Sequence, residues 1–287
     1  MITISEVGHR LKGLRVSLNM SIDSAARSVG VSRALMYRYE AGDIVKLDTL
    51  EKLARLYGTS TATLLGLGHE YIVNSVLFFE RLEKLEQEAE HITTVFGPLA
   101  YVLTSDSYDE MLTSALAGDD SVDALTQVEL HRLRRTLRRR KVALRERKPG
   151  FVNIIPLSEI QGYLSAGLGA AVDLPAGERA AQRRQAVREV EHLLALIEKP
   201  PMGVQIALTE RPLPTAGFQV LRLKSQRLLV TSPFRLGEPL NLRYGIATIS
   251  GDEQALRLHE SLIARLWDGA LTGTRAVEAV ARLLKRL

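Results

Sequence analysis

The segment Gly30–Gly42, "GVSRALMYRYEAG", constrains the fold more than any other, because it sets a turn and a short helix within thirteen residues. Ser32 stands where a helix N-cap belongs, and the last glycine of the segment stands where a helix ends. Ser21 is placed to cap a preceding helix over about 22–29. The segment therefore predicts two short helices joined by a tight turn, and the second helix carries two arginines and two tyrosines.

Three further helices are predicted around this pair. Apolar residues recur at helical spacing over roughly 6–18, 47–57 and 60–65. Residues 1–66 are therefore expected to form an all-α domain of five helices. A glycine turn followed by a serine-capped helix is also the geometry that lays a recognition helix into the major groove of DNA.

Residues 5–66 resemble the Cro/C1-type (XRE) helix-turn-helix domain of phage repressors and bacterial regulators. The resemblance is carried by "SIDSAARSVGVSRALMYRYEAGD" and by "LDTLEKLARLYGTSTATLL", which follows it closely. It implies an ion pair between Arg15 and Glu40 that ties the first helix to the third. It also implies a set of DNA-binding residues: Ser32, Arg33, Ala34, Tyr37, Arg38 and Lys46.

The residue types at these positions suit contacts with DNA. Arginine donates two hydrogen bonds to guanine O6 and N7, so Arg33 and Arg38 are expected to read bases. Ala34 suits a thymine methyl group, and Ser32 at a helix start suits a phosphate. The sequence departs from the family at Ile22, where many members have a glutamine that contacts the DNA backbone. Lys46 is expected to compensate for the loss of this backbone contact.

A linker and dimerisation helix is predicted over 67–93, starting at the glycines of "GLGHE" and running to about His91. Its apolar residues are spaced 4, 3, 4 and 3 apart, as in a heptad seam: Phe78, Leu82, Leu85, Ala89 and Ile92. Two interpretations are open. The seam either joins two copies of the chain or packs on the chain's own C-terminal domain.

Residues 94–287 alternate between apolar runs and helical patterns, which predicts a mixed α/β domain. We expect this domain to serve effector sensing and oligomerisation. The predicted strands are 99–105, 150–156, 203–209, 217–223, 227–232 and 244–250. The predicted helices are about 107–117, 121–147, 176–198, 252–269 and 274–286. The fold class is therefore an all-α helix-turn-helix domain, a linker helix and a mixed α/β domain.

Positive charge is concentrated in one segment. The net charge of the chain is +5, yet His131–Lys148 alone holds eight arginines and two lysines against one glutamate. Concentrated positive charge suggests an anionic partner. Three interpretations are open for this basic helix: an amphipathic helix with a solvated face, a contact with the DNA backbone, or a pocket for an acidic ligand.

Several kinds of catalytic chemistry lack their residues. The chain has no cysteine, and its six histidines form neither an i, i+4 pair nor an HExxH motif. Nucleotide-binding and nucleophile-elbow motifs are absent too, so no catalytic residue, metal or cofactor is predicted. Residues 189–269 resemble the second half of a phospholipase D-like domain, without the His-x-Lys that its chemistry needs. This resemblance implies a non-catalytic sensor.

Four residues are candidates for effector binding. Ser105 stands between a predicted strand and a predicted helix, where free N–H groups favour anions. Arg235, Arg243 and Tyr244 lie in the long loop "SPFRLGEPLNLRYG".

The sequence thus predicts a cytoplasmic regulator that is not an enzyme. Its expected partners are a palindromic double-stranded DNA operator, a second copy of the chain and a small-molecule effector, and no signal peptide or membrane segment is expected. One alternative is a hydrolase or transferase fused to an autoregulatory DNA-binding domain. Another is a nucleoid or antitoxin-type protein that binds DNA without regard to sequence.

Overall fold

A computed structural model describes residues 4–43, 45–65, 69–117, 125–167, 176–211, 217–236 and 242–286. The N-terminal part is the all-α unit that the sequence predicts, and the bounds predicted for its second and third helices are confirmed. The helices are α1 (Ile4–Ser17), α2 (Ile22–Val29), α3 (Arg33–Ala41), α4 (Leu47–Leu56) and α5 (Thr61–Leu64).

Local signals set the ends of α2 and α3. The Ser21 hydroxyl accepts a hydrogen bond from the Ser24 N–H at 3.1 Å, and the Ser32 hydroxyl accepts one from the Leu35 N–H at 3.1 Å. Gly30 and Gly42 have φ angles of 77° and 105°, a left-handed conformation that ends a helix at little cost only for glycine. The turn between α2 and α3 is therefore rigidly specified by the sequence.

The helices α1 and α3 are in direct backbone contact at Gly8. A Cβ atom at this position would lie 2.7 Å from the carbonyl oxygen of Tyr39 and 2.8 Å from that of Glu40. The core beneath the contact includes Leu11 and Met36, both with no exposed surface. The orientation of α3 is therefore fixed by α1.

Within the described part of the chain, seven strands form one mixed sheet in the order β1-β7-β6-β5-β2-β3-β4. The strands are β1 (His69–Ile72), β2 (Ala89–Val95), β3 (Gly150–Pro156), β4 (Val204–Thr209), β5 (Phe218–Leu223), β6 (Arg227–Thr231) and β7 (Ala247–Ser250). The helices around them are α6 (Ser75–Glu88), α7 (Asp106–Ala117), α8 (Gln127–Arg147), α9 (Leu157–Ala166), α10 (Ala176–Glu198), α11 (Glu253–Asp268) and α12 (Gly273–Leu284).

The sheet changes character at β2. Strands β2, β3 and β4 run parallel, and helices connect them because parallel neighbours need long crossovers. From β2 through β5, β6, β7 and β1, neighbouring strands run antiparallel. One face packs against α6, α8, α9, α10 and α12 in the larger core, and the other face packs against α11.

The helix predicted over residues 67–93 is shorter than expected, because only Ser75–Glu88 is helical. The described residues on either side form the strands β1 and β2, and the predicted boundary at Gly66 lies outside the described residues. A β-bulge between Ala89 and His91 explains the difference. It shifts the strand alternation by one residue, so that Ala89 and Ile92 both face the core at a spacing that imitates a helix.

The heptad-like seam is buried within the chain. Phe78, Leu82 and Leu85 are at most 3% exposed and lie in the larger core, where α6 packs against α8. A seam filled by its own domain has no surface left for a second copy. Phe78, Leu82 and Leu85 therefore pack on the chain's own C-terminal domain, as the second interpretation expects.

One predicted strand is wrong and one helix was not predicted. The run Leu99–Ser105 contains a short 3-10 helix over Tyr101–Leu103, because a continuous apolar run in a core is equally compatible with an irregular buried segment. Helix α9 directly follows β3 and has no N-cap side-chain bond to mark its start. The other five predicted strands are confirmed as β3 to β7.

Candidate nucleic-acid interface and ligand cavity

The helix α3 has an inward face and an outward face. Met36, Tyr39 and Glu40 are buried and face the core of the five-helix unit. The side chains of Arg33 and Arg38 are 61% and 70% exposed. Tyr37 is 49% exposed, and Ala34 is exposed as well. The outward face therefore presents the base-reading set that the resemblance implies.

Both arginines of this face hold acidic partners. Arg33 Nη1 lies 3.3 Å from Asp23 Oδ2 on α2, and its guanidinium lies 5.7 Å from the centre of the Tyr37 ring. The Tyr37 hydroxyl, and after it the charge of Asp23, raises the pKa of Arg33. Arg38 donates from Nε to Asp43 just beyond the helix end. These pairs are exposed and contribute little to stability, so they can open when another acceptor arrives.

The buried pair Arg15–Glu40 anchors α3 from behind. Arg15 donates from Nε and Nη2 to the two carboxylate oxygens of Glu40 at 2.6 and 2.9 Å, and from Nη1 to the Met20 carbonyl at 2.8 Å. The hydrogen bond to Glu40 raises the pKa of Arg15. Burial raises the pKa of the neighbouring Tyr57 to about 12, which keeps its phenol neutral beside the Glu40 carboxylate. The structure thus brings together the ion pair that the resemblance implies.

The other implied DNA contacts lie at helix starts. Ser32 is exposed and its hydroxyl already caps α3. Lys46 is exposed at the N-cap position of α4, and its side chain makes no capping bond. Ile22, where the resemblance implies a glutamine, is half-buried and packs against the core of the five-helix unit.

Many of the cations of the basic helix α8 form ion pairs with carboxylates of neighbouring helices. Arg132, Arg139 and Arg140 each form a two-bond pair with a glutamate of α6, and the partners are Glu80, Glu83 and Glu86 in that order. Lys141 and Arg145 pair with aspartates of α7. These pairs form a ladder of complementary charge that joins α8 to α6 and α7.

Apart from Arg147, which donates to backbone carbonyls, three arginines of α8 are not part of the ladder. Arg134, Arg135 and Arg138 are exposed, and they form no ion pair with any other part of the chain that the structure describes. We expect that replacing all three by glutamine flattens the salt dependence of DNA binding, by about one unit of slope for each arginine that contacts a phosphate. The measurement is the slope of log K against log[salt].

The control for this experiment replaces three exposed arginines of α11 and α12, Arg257, Arg265 and Arg275, by glutamine. The control makes the same change in net charge away from α8. An unaltered slope in the α8 variant would leave its basic face as a solvated surface and contradict the DNA-backbone interpretation.

The four candidate effector residues lie apart. The N–H and the hydroxyl of Ser105 donate to the carboxylate of Glu189, which already fills the predicted anion position. Arg243 Nη2 lies 3.2 Å from Glu129 Oε2, and Tyr244 is 62% exposed. Arg235 lines a cavity, whereas the other three are not among its lining residues.

The cavity lies at the carboxyl end of β2, on the sheet face covered by α6, α8 and α9, and its volume is about 770 Å³. This is within the range of about 300–1,000 Å³ that holds small organic ligands. Aromatic side chains make up much of the wall: Phe78, Phe79, Phe96, Tyr101, Tyr108, Tyr163 and Phe234. Sequence reasoning missed this site, although the polar Gln219 inside an apolar strand was a signal for it.

No group of three or more His, Asp or Glu side chains in the described ranges could hold a metal ion. None of the helices described is long and apolar enough to cross a bilayer.

Comparisons with known proteins agree with the N-terminal geometry. Residues 6–65 match the model of a family described as a helix-turn-helix domain, so α1 to α5 are a helix-turn-helix domain. No curated protein matches the chain. A solved structure of TrmBL2, an archaeal chromatin protein described as having a novel mode of DNA binding, is 8% identical over 93% of each chain, with a TM-score of 0.29.

Proposed function

We propose that this protein is a transcriptional regulator of the Cro/C1 type that binds DNA at specific sequences. The observation that carries the proposal is the outward face of α3. Arg33, Tyr37 and Arg38 project from a short helix that two left-handed glycines and the buried Arg15–Glu40 pair hold in place. Base reading needs such a rigid support, because a side chain discriminates between bases only when its hydrogen bonds are well placed.

On the operator, the two arginines exchange their carboxylate partners for base edges. Arg33 leaves Asp23 and Arg38 leaves Asp43 to donate to guanine, while Ala34 contacts a thymine methyl group. Ser32 and Lys46 contact phosphates, which set the register of the helix without reading sequence. Each exchange gives up an exposed ion pair that contributes little stability and forms a partly desolvated hydrogen bond in its place. The exchange therefore favours DNA binding.

The regulator acts in the cytoplasm as a homodimer on a palindromic operator. One short helix reads only a few base pairs, and two half-sites one helical turn apart, ~34 Å, multiply the specificity. We expect the dimer to bind duplexes with this spacing at least about tenfold more tightly than duplexes whose half-sites are offset by a further half turn. Fluorescence anisotropy measures the affinities, and sedimentation measures the stoichiometry. Equal affinities for both spacings would contradict the dimeric arrangement.

A small molecule in the C-terminal domain controls the regulator by shifting the population of two placements of the recognition helices. Helix α6 supports this role because it contacts the cavity and neighbours the helix-turn-helix domain. Phe78 and Leu82 line the cavity, and Arg81 donates to Glu70 at 3.1 Å. Arg10 on α1 lies close enough to this pair to be affected by it: burial lowers the pKa of Arg10, and the charge of Glu70 opposes this effect. The spacing preference of the operator should therefore change when ligand binds.

A sensing role for the cavity is favoured over catalysis because its titratable groups are already paired with groups of the protein. Arg140 is paired with Glu86, Arg235 with Glu159, and the Tyr101 hydroxyl donates to Asp109. No histidine is among the described residues that line the cavity. A general base needs a carboxylate or imidazole that is free to take a proton from the substrate. We therefore propose that the domain binds its ligand without converting it.

A further inference from the structure

The floor of the cavity belongs to a row of polar side chains on an otherwise apolar sheet face. Thr94 of β2 lies directly opposite Gln219 of β5 in the antiparallel register, and Asn153 of β3 is its partner on the other side. Thr94 and Asn153 are 1% and 0% exposed. Thr94 and Gln219 line the cavity, and Asn153 continues the row beside it.

The oxygen atoms of this row lack hydrogen-bond partners. Thr94 Oγ1, Gln219 Oε1 and Asn153 Oδ1 are buried, and no group in the described ranges of the chain bonds to them. The hydroxyl of Tyr163, on the α9 wall of the cavity, is also buried without a hydrogen-bond partner in these ranges. Leaving a buried polar atom unpaired destabilises a protein, so a cluster of such atoms around one cavity points to a ligand that supplies the missing bonds.

The orphaned atoms define the hydrogen bonds that the ligand must make. Gln219 Oε1 is an acceptor only, so its partner must be an N–H or O–H donor. The hydroxyls of Thr94 and Tyr163 can either donate or accept, and they tolerate both kinds of partner. The ligand therefore carries at least one donor directed at the β2–β5 floor.

The charges around the cavity favour an uncharged ligand. Arg140 donates two hydrogen bonds to Glu86, at 2.7 and 2.8 Å, and Arg235 pairs with Glu159 at 3.5 Å. Each cation on the wall thus has a carboxylate already. A ligand anion would have to displace one of these carboxylates, and a ligand cation would have to take the wall carboxylate Glu159 from Arg235. Both changes leave a charge poorly compensated in an apolar space.

We propose that the cavity binds an uncharged molecule with an aromatic body and at least one N–H or O–H donor. The aromatic walls stack against the body, and Gln219, Thr94 and Tyr163 orient the polar groups. The identification of this molecule as the effector rests on the proposed function. Its binding to the cavity does not, because binding is measured without DNA.

Three probes of one shape test the ligand class on the full chain. N-phenyl-1-naphthylamine is uncharged and has one N–H donor, 1-benzylnaphthalene has a methylene in its place, and 8-anilinonaphthalene-1-sulfonate adds a negative charge. We expect one N-phenyl-1-naphthylamine molecule to bind per chain, measured by its fluorescence. The other two probes should bind at least about fivefold more weakly, because one loses the hydrogen bond and the other adds an unpaired charge.

Variants of the floor separate a ligand site from a structural defect. Thr94→Val and Gln219→Leu should each weaken N-phenyl-1-naphthylamine binding about threefold or more and raise the Tm of the ligand-free protein by about 2 °C. The control is Thr136→Val in α8, where another buried hydroxyl has no partner in the described chain but does not line the cavity. It should raise the Tm as well and leave probe binding unchanged.

Each outcome is decisive for the ligand class. Failure of the uncharged probe to bind, equal affinity for the sulfonate or the benzyl probe, or unchanged affinity in both floor variants would overturn the proposal. Loss of probe binding in the control variant would also overturn it, because the effect would then not be local to the cavity. A protein that binds the probe as expected but selects no DNA sequence would contradict the proposed function and not this inference.

Discussion

Replacement of Arg33 and Arg38 together by alanine is expected to abolish sequence-specific DNA binding while the protein stays folded. A good bidentate contact between arginine and guanine contributes about 1–3 kcal/mol of discrimination, so each single variant should lose about tenfold to a hundredfold in operator affinity. Both side chains are exposed, and the ion pairs that they lose contribute little to stability. The fold should therefore keep its melting temperature.

Anisotropy at one fixed salt concentration measures this effect. The control is Arg257→Ala on α11, which removes one exposed positive charge from the other domain and should change affinity little. Competition with a nonspecific duplex separates base reading from general attraction to phosphate. Unchanged operator affinity in both single variants would falsify the assignment of α3 as the recognition helix.

The second large effect is expected at Gly8, where the backbone of α1 touches that of α3. A methyl group at Gly8 would lie 2.7 to 2.8 Å from three backbone atoms, those of Tyr39, Glu40 and Gly42, and backbone cannot move aside as a flexible side chain can. Gly8→Ala should therefore lower the free energy of unfolding of the domain by ~3 kcal/mol and displace α3. DNA affinity should fall with it.

The same helix provides a matched control in Gly13. A Cβ atom there meets no atom within 4 Å, so Gly13→Ala adds only helix propensity. It should raise the free energy of unfolding by ~0.5–1 kcal/mol. Urea unfolding followed by circular dichroism measures both variants. Equal stabilities of Gly8→Ala and the wild type would contradict the close packing of α1 on α3.

The helix-turn-helix domain was predictable because its signals are local. Ser21 and Ser32 cap the two helices from the position next to each start, and Gly30 and Gly42 end them. These residues act on groups within a few positions along the chain, which a sequence pattern records directly. The Arg15–Glu40 pair is not local, and only the resemblance to a known family suggested it.

The C-terminal domain was predictable in class but not in detail. The bulge at Ala89–His91 gave a strand the apolar spacing of a helix, so the helical prediction ran beyond the true end of α6 at Glu88. The pairing of α8 with α6 was also hidden, because the arginines and the glutamates that form it are more than fifty positions apart. A charge run in a sequence does not record whether its partners are solvent, DNA or another helix.

The cavity could not be predicted, since its lining comes from distant parts of the chain. Thr94 and Gln219 are brought side by side only by the pairing of β2 with β5. Of the four effector residues chosen from the sequence, Arg235 lines this cavity. Gln219 was visible as a polar residue within an apolar strand, but Thr94 lay outside the predicted strands, and the face that the two residues share depends on the strand register.

The most direct test of the regulator assignment is a selection from random double-stranded oligonucleotides with the full-length protein. We expect an enriched palindrome that has a guanine contacted by Arg33 or Arg38 in each half-site, and a loss of preference at that guanine in the corresponding alanine variant. A selection that enriches no sequence, or a motif that the two arginine variants leave unchanged, would contradict it.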